Sequence, residues 1–248
     1  MMAQLELKQA SIELDNSLKI MDQLSLSVAP GDFITILGGN GAGKSTLFNA
    51  ITGNLRLTEG IIELNKTNIT QLSEEKRATY IARVFQDPKN GTAPRMTVAE
   101  NLALAMKRGE KRKIFKRREI KSNRDYFHDL CASIGNGLEN HLDTPTGNLS
   151  GGQRQALSLL MATMKDPDLL LLDEHTAALD PKTAKQLMSL TQKFVTKKNL
   201  TCLMITHHME DALNFGNRLI VLEKGCIKKD FNQEEKAKLQ LEDLLRFF

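Results

Sequence analysis

The chain contains no tryptophan, only two tyrosines and three cysteines, and aromatic residues make up 5% of it. Cys131, Cys202 and Cys226 are isolated and odd in number, with no CxxC pair. That spacing argues against structural zinc and reads as buried free thiols in a reducing cytosol. No apolar run approaches the ~18 residues that span a bilayer. The start, Met1-Met2-Ala3-Gln4-Leu5-Glu6, lacks the basic-then-apolar layout of a secretion signal. Internal repeats and low-complexity linkers are missing too. What is present is an ordinary globular composition, 41% hydrophobic and 26% charged, in 248 residues. That length can bury a sizeable core as one large domain or two intimate lobes.

The formal net charge of +4 is unevenly spread. Lys107, Arg108, Lys111, Arg112, Lys113, Lys116, Arg117, Arg118, Lys121 and Arg124 are opposed locally only by Glu110 and Glu119. This stretch therefore carries +8 and the rest of the chain −4, which makes the overall excess weak support for a nucleic-acid partner. A charge run of this kind is usually a solvated helix or loop. Its functional alternative is a patch facing anionic lipid headgroups or an acidic partner surface. Phe115 is the one aromatic inside the run, too few for a platform that stacks single-stranded nucleic acid.

The stretch that organises the chain is Gly38-Gly39-Asn40-Gly41-Ala42-Gly43-Lys44-Ser45-Thr46. An apolar run, Phe33-Ile34-Thr35-Ile36-Leu37, precedes it and a helical pattern follows, so the reading is strand, glycine-rich turn, helix. Glycine lets successive backbone N–H groups converge on one anion, and the helix adds its unpaired N–H groups and positive dipole end. Lys44 supplies a mobile charge for β- and γ-phosphates, and the Ser45 hydroxyl is a Mg²⁺ ligand. The pattern predicts a nucleoside triphosphate site.

Short strands are expected at residues 5–8 and 24–28, then at 61–64 after Glu59-Gly60, and a buried strand at 81–85 delivers Gln86 to its C-terminal end. From Asp87 to about Lys165 the strand pattern gives way to helical periods at 97–106 and 126–134, separated by polar or glycine-rich loops. This block reads as a helical subdomain inserted in an α/β body. Leu149-Ser150-Gly151-Gly152-Gln153 then opens a long helix to about Met164. The sheet pattern resumes at Leu169-Leu170-Leu171-Leu172, a doubly buried strand ending in Asp173-Glu174. Pro181 starts a helix to about Val195. Further strands fall at 200–205, ending in Thr206-His207-His208, and at 218–222. Residues 234–248 have a helical pattern. In a parallel sheet the phosphate loop, Gln86, Asp173-Glu174 and His207 share one edge, where Asp173 can hold Mg²⁺ through water and Glu174 can polarise the attacking water.

Taken in order, Gly38 through Ser45, Gln86, Leu149-Ser150-Gly151-Gly152-Gln153, Leu169 through Glu174, Ala178-Leu179-Asp180 and His207 resemble the motif set of the ATP-binding cassette (ABC) ATPases. The resemblance covers nearly the whole chain. It implies a phosphate-loop NTPase (RecA-like) α/β core with an N-terminal antiparallel β portion and an inserted α-helical subdomain. The implied division is a core of 1–86 and 166–230, a signature subdomain of 87–165 and a tail of 231–248. It further implies ATP and Mg²⁺ as cofactors and a head-to-tail homodimer with two ATP molecules between the chains. In that dimer Ser150, Gly151, Gly152 and Gln153 of one chain face the phosphate loop of the other. Asp180 lies at the seam, Gln86 at a hinge sensing Mg²⁺ and the attacking water, and His207 acts as the switch histidine. Implied partners are integral membrane permease subunits docked on the helical subdomain, which places the chain peripherally on the cytoplasmic face of the membrane.

Two departures stand out. The family usually stacks an aromatic on adenine near the end of the first strand; here Leu14 or its neighbours fall there, and no aromatic precedes Phe33. Where most members read Asp-Glu-Pro-Thr-Ser-Ala-Leu-Asp, this chain has Asp173-Glu174-His175-Thr176-Ala177-Ala178-Leu179-Asp180. His175 reads as a tolerated loop residue rather than a second catalytic histidine, and His208 as solvent-facing. That variant, with Gln86-Asp87-Pro88 and Gly91-Thr92-Ala93-Pro94, resembles the ATPase subunits of small bacterial importers. These work with a separate lipoprotein-type solute-binding protein, and some are assigned to aromatic amino acids such as tryptophan. One rival reading, a soluble ABC ATPase acting on nucleic acid or ribosomes, would call for tandem cassettes or a long coiled-coil insertion, which the chain lacks. A cassette without turnover is opposed by intact Lys44, Asp173, Glu174 and His207.

Overall fold

The computed structural model describes residues 4–14, 18–110 and 117–247. Lys111, Arg112, Lys113, Phe115 and Lys116 of the basic run lie outside the described residues, as do the side chains of Arg117, Arg118 and Leu14 and the whole of 15–17.

Ten strands, ten α-helices and three short 3-10 helices make up the regular structure of the described residues. The strands are β1 (Leu5–Leu14), β2 (Leu18–Val28), β3 (Phe33–Leu37), β4 (Glu59–Leu64), β5 (Thr67–Asn68), β6 (Ile81–Val84), β7 (Leu169–Asp173), β8 (Cys202–Ile205), β9 (Arg218–Glu223) and β10 (Cys226–Phe231). The helices are α1 (Lys44–Thr52), α2 (Glu74–Arg77), α3 (Val98–Met106), α4 (Arg117–Ser122), α5 (Arg124–Ala132), α6 (Gly151–Thr163), α7 (Pro181–Lys198), α8 (Met209–Asn214), α9 (Gln233–Lys236) and α10 (Leu241–Leu245).

Two sheets carry the core. An antiparallel sheet has the order β2-β1-β4-β5, and a larger one has β10-β9-β3-β8-β7-β6, parallel except for the β10–β9 hairpin. Leu5 and Leu7 of β1 lie opposite Val28 and Leu26 of β2 and Leu64 and Ile62 of β4, so one apolar face forms. That face closes over α1 and one side of the parallel sheet, burying Phe48, Ile34, Ile36, Leu171 and Leu203 together. The other side, with Leu170, Leu172 and Met204, packs on Leu159 of α6 and Leu187 of α7. Leu157 and Leu160 of α6 turn instead to a separate cluster with Leu102, Phe127 and Cys131. One helix thus seals both the sheet and the inserted helices, because its apolar residues recur around most of its circumference.

β1 and β2 run much longer than the expected 5–8 and 24–28. Gln9 and Gln23 sit at φ 47° and 45°, where the strand register shifts. Their backbone N–H groups donate to Ser25 Oγ and Ser11 Oγ at 3.0 Å. These bulges interrupt the period-2 pattern while the strands continue. The tail also differs, forming two short helices rather than one. Its anchor is Lys236, 5% exposed, whose ammonium donates to the Phe215 carbonyl and to Gly216 O at 3.1 Å. Burial pushes that ammonium down to about 8. Cys131 and Cys202 are buried as expected, but Cys226 on the edge strand is exposed. The ends of the basic run are engaged: Arg108 donates to Ala162 O at 3.0 Å, and Arg124 grips both oxygens of Asp143 at 2.8 and 2.6 Å. Among the described residues no helix is long and apolar enough to cross a membrane.

Candidate functional site

The parallel strands β9, β3, β8, β7 and β6 bring their C-terminal ends to one edge, where the phosphate loop follows β3, Glu174 follows β7 and His207 follows β8. These three line a cavity of about 550 Å³. Gly43 caps α1 at φ 98°, a left-handed conformation that a side chain disfavours, and an added Cβ would lie 3.1 Å from Gly225 Cα. The loop therefore approaches the β9–β10 turn backbone to backbone. Lys44, 6% exposed, donates to Gly38 O at 2.6 Å and Gly39 O at 3.0 Å, which holds its ammonium over the loop. Burial lowers its pKa, and Glu174 and Asp173 pull it back up.

Glu174 occupies φ 47°, a costly conformation for a non-glycine residue and one that concentrates at functional sites. Its backbone is pinned by an N–H bond to Ile205 O at 3.1 Å, and its carboxylate meets His207 Nε2 at 2.5 Å. Asp173, one residue earlier, points elsewhere: its Oδ2 accepts from Arg83 Nη2 at 2.5 Å. Arg83 is fixed in turn by Asn49 Oδ1 at 2.8 Å and by the Phe85 ring 4.9 Å away. The Ser45 hydroxyl, Asp173 carboxylate and Gln86 amide are all oxygen donors, the set that suits Mg²⁺, an ion that keeps several waters.

The remaining expected site residues stand apart from this cavity. Gln86 is exposed just beyond β6 and does not line it. It is tied to the signature helix through its neighbour, since buried Gln155 of α6 donates to Phe85 O at 2.9 Å. Ser150, Gly151, Gly152 and Gln153 also lie outside the cavity lining. Ser150 and Gln153 form a reciprocal cap on α6, side chain to backbone at 3.2 Å in each direction. Ser150 and Gly151 are exposed at that helix start. A Cβ on Gly152 would lie 2.4 Å from Thr183 Cγ2, so any larger residue would force Thr183 to shift where α6 approaches α7. Asp180 caps α7 by accepting from Thr183 N at 3.1 Å, and Thr183's hydrogen bonds to it hold its carboxyl pKa down. Thr183 thus joins the signature helix and the Asp180 turn within one chain.

The three histidines weighed for the site, His175, His207 and His208, divide clearly. His208 is exposed, as expected, and His207 reaches Glu174. His175 is neither a solvent-facing loop residue nor part of the cavity. It is 2% exposed, with Nε2 3.0 Å from Thr191 Oγ1. The Thr191 hydroxyl is spent on Leu187 O at 2.8 Å, so the imidazole Nε2 is the donor to Thr191 Oγ1. Burial pushes His175 down to about 4 from an ordinary 6.5. The unfolded chain therefore binds the proton first: the stabilisation is complete above pH 6.5 and is lost as pH falls toward 4. At about 1.4 kcal/mol per pH unit, unfolding free energy from urea titrations should drop by about 2 kcal/mol between pH 7 and 5 on this account. His175→Asn should remove that part of the slope.

Sequence reading missed Arg83, Gln155 and Thr183. A single arginine inside the apolar run 81–84 was an available signal. Gln155 and Thr183 gave none, because their partners lie 70 and 31 positions away in the chain.

Residues 21–177 match the family model described as ABC transporter. A tyrosine transport ATP-binding protein of Clostridioides difficile is 46% identical over 229 residues, covering 92% of this chain and 90% of that protein. A methionine import ATP-binding protein of Enterococcus faecalis is 32% identical over 90% of this chain, which spans 61% of that protein's length. Among solved structures, the dimeric post-hydrolysis state of the ATP-binding cassette MJ0796 bound to ADP and Pi superposes with a TM-score of 0.77 at 26% identity, covering 92% of this chain and 98% of that one. With the phosphate loop, Glu174 at the end of β7 and the histidine at the end of β8 converging on one cavity, the chain belongs to the ABC transporter family as an ATP-binding, ATP-hydrolysing cassette.

Proposed function

We propose that the chain energises import of an aromatic amino acid, of the tyrosine type, as a head-to-tail homodimer beneath separate permease subunits on the cytoplasmic face of the membrane. The observation that carries the reading is the division of the site. Within one chain the phosphate loop has Glu174 and His207 beside it, while the exposed Ser150 and Gly151 lie outside that cavity. A second chain, turned head to tail, supplies what the first lacks. The names of the tyrosine and methionine relatives support the cargo class and the direction, and the dimeric cassette supports pairing. A separate solute-binding protein fits this arrangement, and no nucleic-acid role is proposed.

In this reading residues 1–86 and 166–230 are the nucleotide-binding core, 87–165 the signature subdomain and 231–248 the tail. The loop N–H groups and Lys44 bind the β- and γ-phosphates. Ser45, Asp173 and Gln86 would hold Mg²⁺, which would supply positive charge to the phosphates. Glu174 accepts the proton of the attacking water, and His207 orients that carboxylate while facing the γ-phosphate. The partner's signature N–H groups complete the phosphate cradle. A cleft of about 420 Å³ between core and inserted helices, lined by Arg83, Phe85, Leu104 and Arg108, is the proposed permease seat. It touches Phe85, the neighbour of Gln86, so docking can be felt at the site.

Mixing variants tests the pairing. Lys44→Ala and Ser150→Arg should each be inactive alone. A mixed dimer places both defects in one composite site and leaves the other intact, so ATPase activity should reappear on mixing. No recovery, with heterodimers demonstrated by cross-linking, would overturn the pairing of independently working sites.

A further inference from the structure

We propose that Arg83 is a positioning residue for the metal site: it links the α1 face that carries Ser45 to the Asp173 carboxylate and so sets the spacing of these two ligands. This rests on the metal-site reading above.

Ser45 and Asn49 stand four residues apart on α1, so their side chains share one face of that helix. Asn49 Oδ1 accepts from Arg83 Nη1 at 2.8 Å, and Asp173 Oδ2 accepts from Arg83 Nη2 at 2.5 Å. One guanidinium thus spans from the helix after the phosphate loop to the end of β7, with one arm of its fork on each. The Phe85 ring at 4.9 Å and the Phe48 ring at 5.8 Å confine it further. The Arg83 and Asp173 side chains are only 13% and 15% exposed, so neither swings freely into solvent. For Asp173 Oδ1 no hydrogen-bond partner is seen among the described residues. The carboxylate therefore has one oxygen committed and one left for the ion. An outer-shell donor orients a metal ligand in this way.

Tying β6 to β7 would not require this pair. Those strands are already joined by a parallel ladder running from Ile81–Leu169 to Val84–Leu172. The bond to Asn49 brings in α1 as a third element, which a strand-to-strand tie has no use for. A lysine would neutralise Asp173 as a point charge, but only arginine's rigid planar fork sends donors to two partners in fixed directions. Arg83 also lines the cleft of about 420 Å³ between core and inserted helices, so the group that fixes Asp173 is part of that cleft's wall.

Mn²⁺ binding to the full-length chain loaded with ADP, followed by electron paramagnetic resonance, tests this. Arg83→Met should weaken Mn²⁺ by roughly 10-fold, the lower end for loss of an outer-shell partner. Metal-free ADP binding by calorimetry should stay within about 2-fold of wild type, since the residue acts on the metal ligand. In an Asp173→Asn background the same substitution should change Mn²⁺ affinity by less than about 2-fold, because a positioning residue acts through the group it positions. Asn49→Ala keeps the ion pair and removes one neutral hydrogen bond, so it should weaken Mn²⁺ by roughly 3-fold. It decides the matter where Arg83→Met does not fold. Wild-type Mn²⁺ affinity in the folded variants, or an equal loss of metal-free ADP binding, overturns the positioning role and leaves the metal site standing. So does a full effect of Arg83→Met in the Asp173→Asn background. Wild-type Mn²⁺ affinity in Asp173→Asn itself would overturn the metal-site reading, and the role of Arg83 with it.

Discussion

Glu174→Gln is expected to bind MgATP with near-wild-type affinity and to lose roughly 10²–10⁴ of its turnover, the range for removing a general base. The substitution preserves size and the ability to meet His207 Nε2, now 2.5 Å from Glu174 Oε1, but removes the carboxylate that accepts the water's proton. It also leaves the backbone at φ 47° undisturbed, so thermal stability should hold. The ATP-loaded variant should accumulate as a dimer in size-exclusion chromatography. Steady-state phosphate release beside equilibrium ATP binding checks the split. Turnover within a few-fold of wild type would remove Glu174 from the chemistry.

The second large effect is on stability and lies away from the cavity. Arg77 of α2 is 2% exposed and has no carboxylate partner among its recorded contacts. Its guanidinium donates instead to four carbonyls: Leu72 O at 3.0 Å, Ala50 O at 2.7 Å, Ile51 O at 2.9 Å and Thr70 O at 2.7 Å. Ala50 and Ile51 belong to the last turn of α1, where carbonyls run short of helical donors: Ala50 O also takes the Gly53 N–H at 3.2 Å, but no backbone donor is seen for Ile51 O among the described residues. A buried cation there also complements the negative end of the helix dipole. Arg77→Met keeps the stem and strands the carbonyls, each costing about 1–3 kcal/mol if left dry. The net loss should be about 3 kcal/mol, part of it offset by relief of the burial that lowers the guanidinium pKa. For a chain of this size that is a fall in Tm of roughly 6–12 °C by calorimetry. A change below about 2 °C would show that water satisfies those carbonyls instead.

The contrast between these two residues separates what each level of description supplies. Glu174 was legible in the sequence because its chemistry is written locally. A doubly buried strand must end where the apolar run ends, and an acidic pair at that point faces the ligand edge of a parallel sheet. The phosphate loop is legible for the same reason, since glycine spacing, lysine and helix start all lie within nine positions. The signature stretch was likewise visible as the opening of a long helix, and the structure closes it with a reciprocal Ser150–Gln153 cap, a local pattern that encodes its own backbone bonds.

His175 shows where such reading stops. Its position in a polar loop suggested tolerance, and only the packing of that loop on α7 reveals a buried, neutral imidazole bonded to Thr191. The strands β1 and β2 were underestimated because bulges at Gln9 and Gln23 break the period while side-chain hydroxyls from another strand keep the backbone bonded. The sequence by itself determined the chemistry of the phosphate loop, the acidic pair and the signature cap, since each is specified by residues adjacent in the chain. Tertiary structure alone decided that Asp173 is held by Arg83, that Gln155 ties α6 to the residue before Gln86, and that Leu18 stands at the mouth of the nucleotide cavity. Those pairings join residues far apart in sequence, and their geometry follows from sheet order and helix packing, which no local pattern of side chains records.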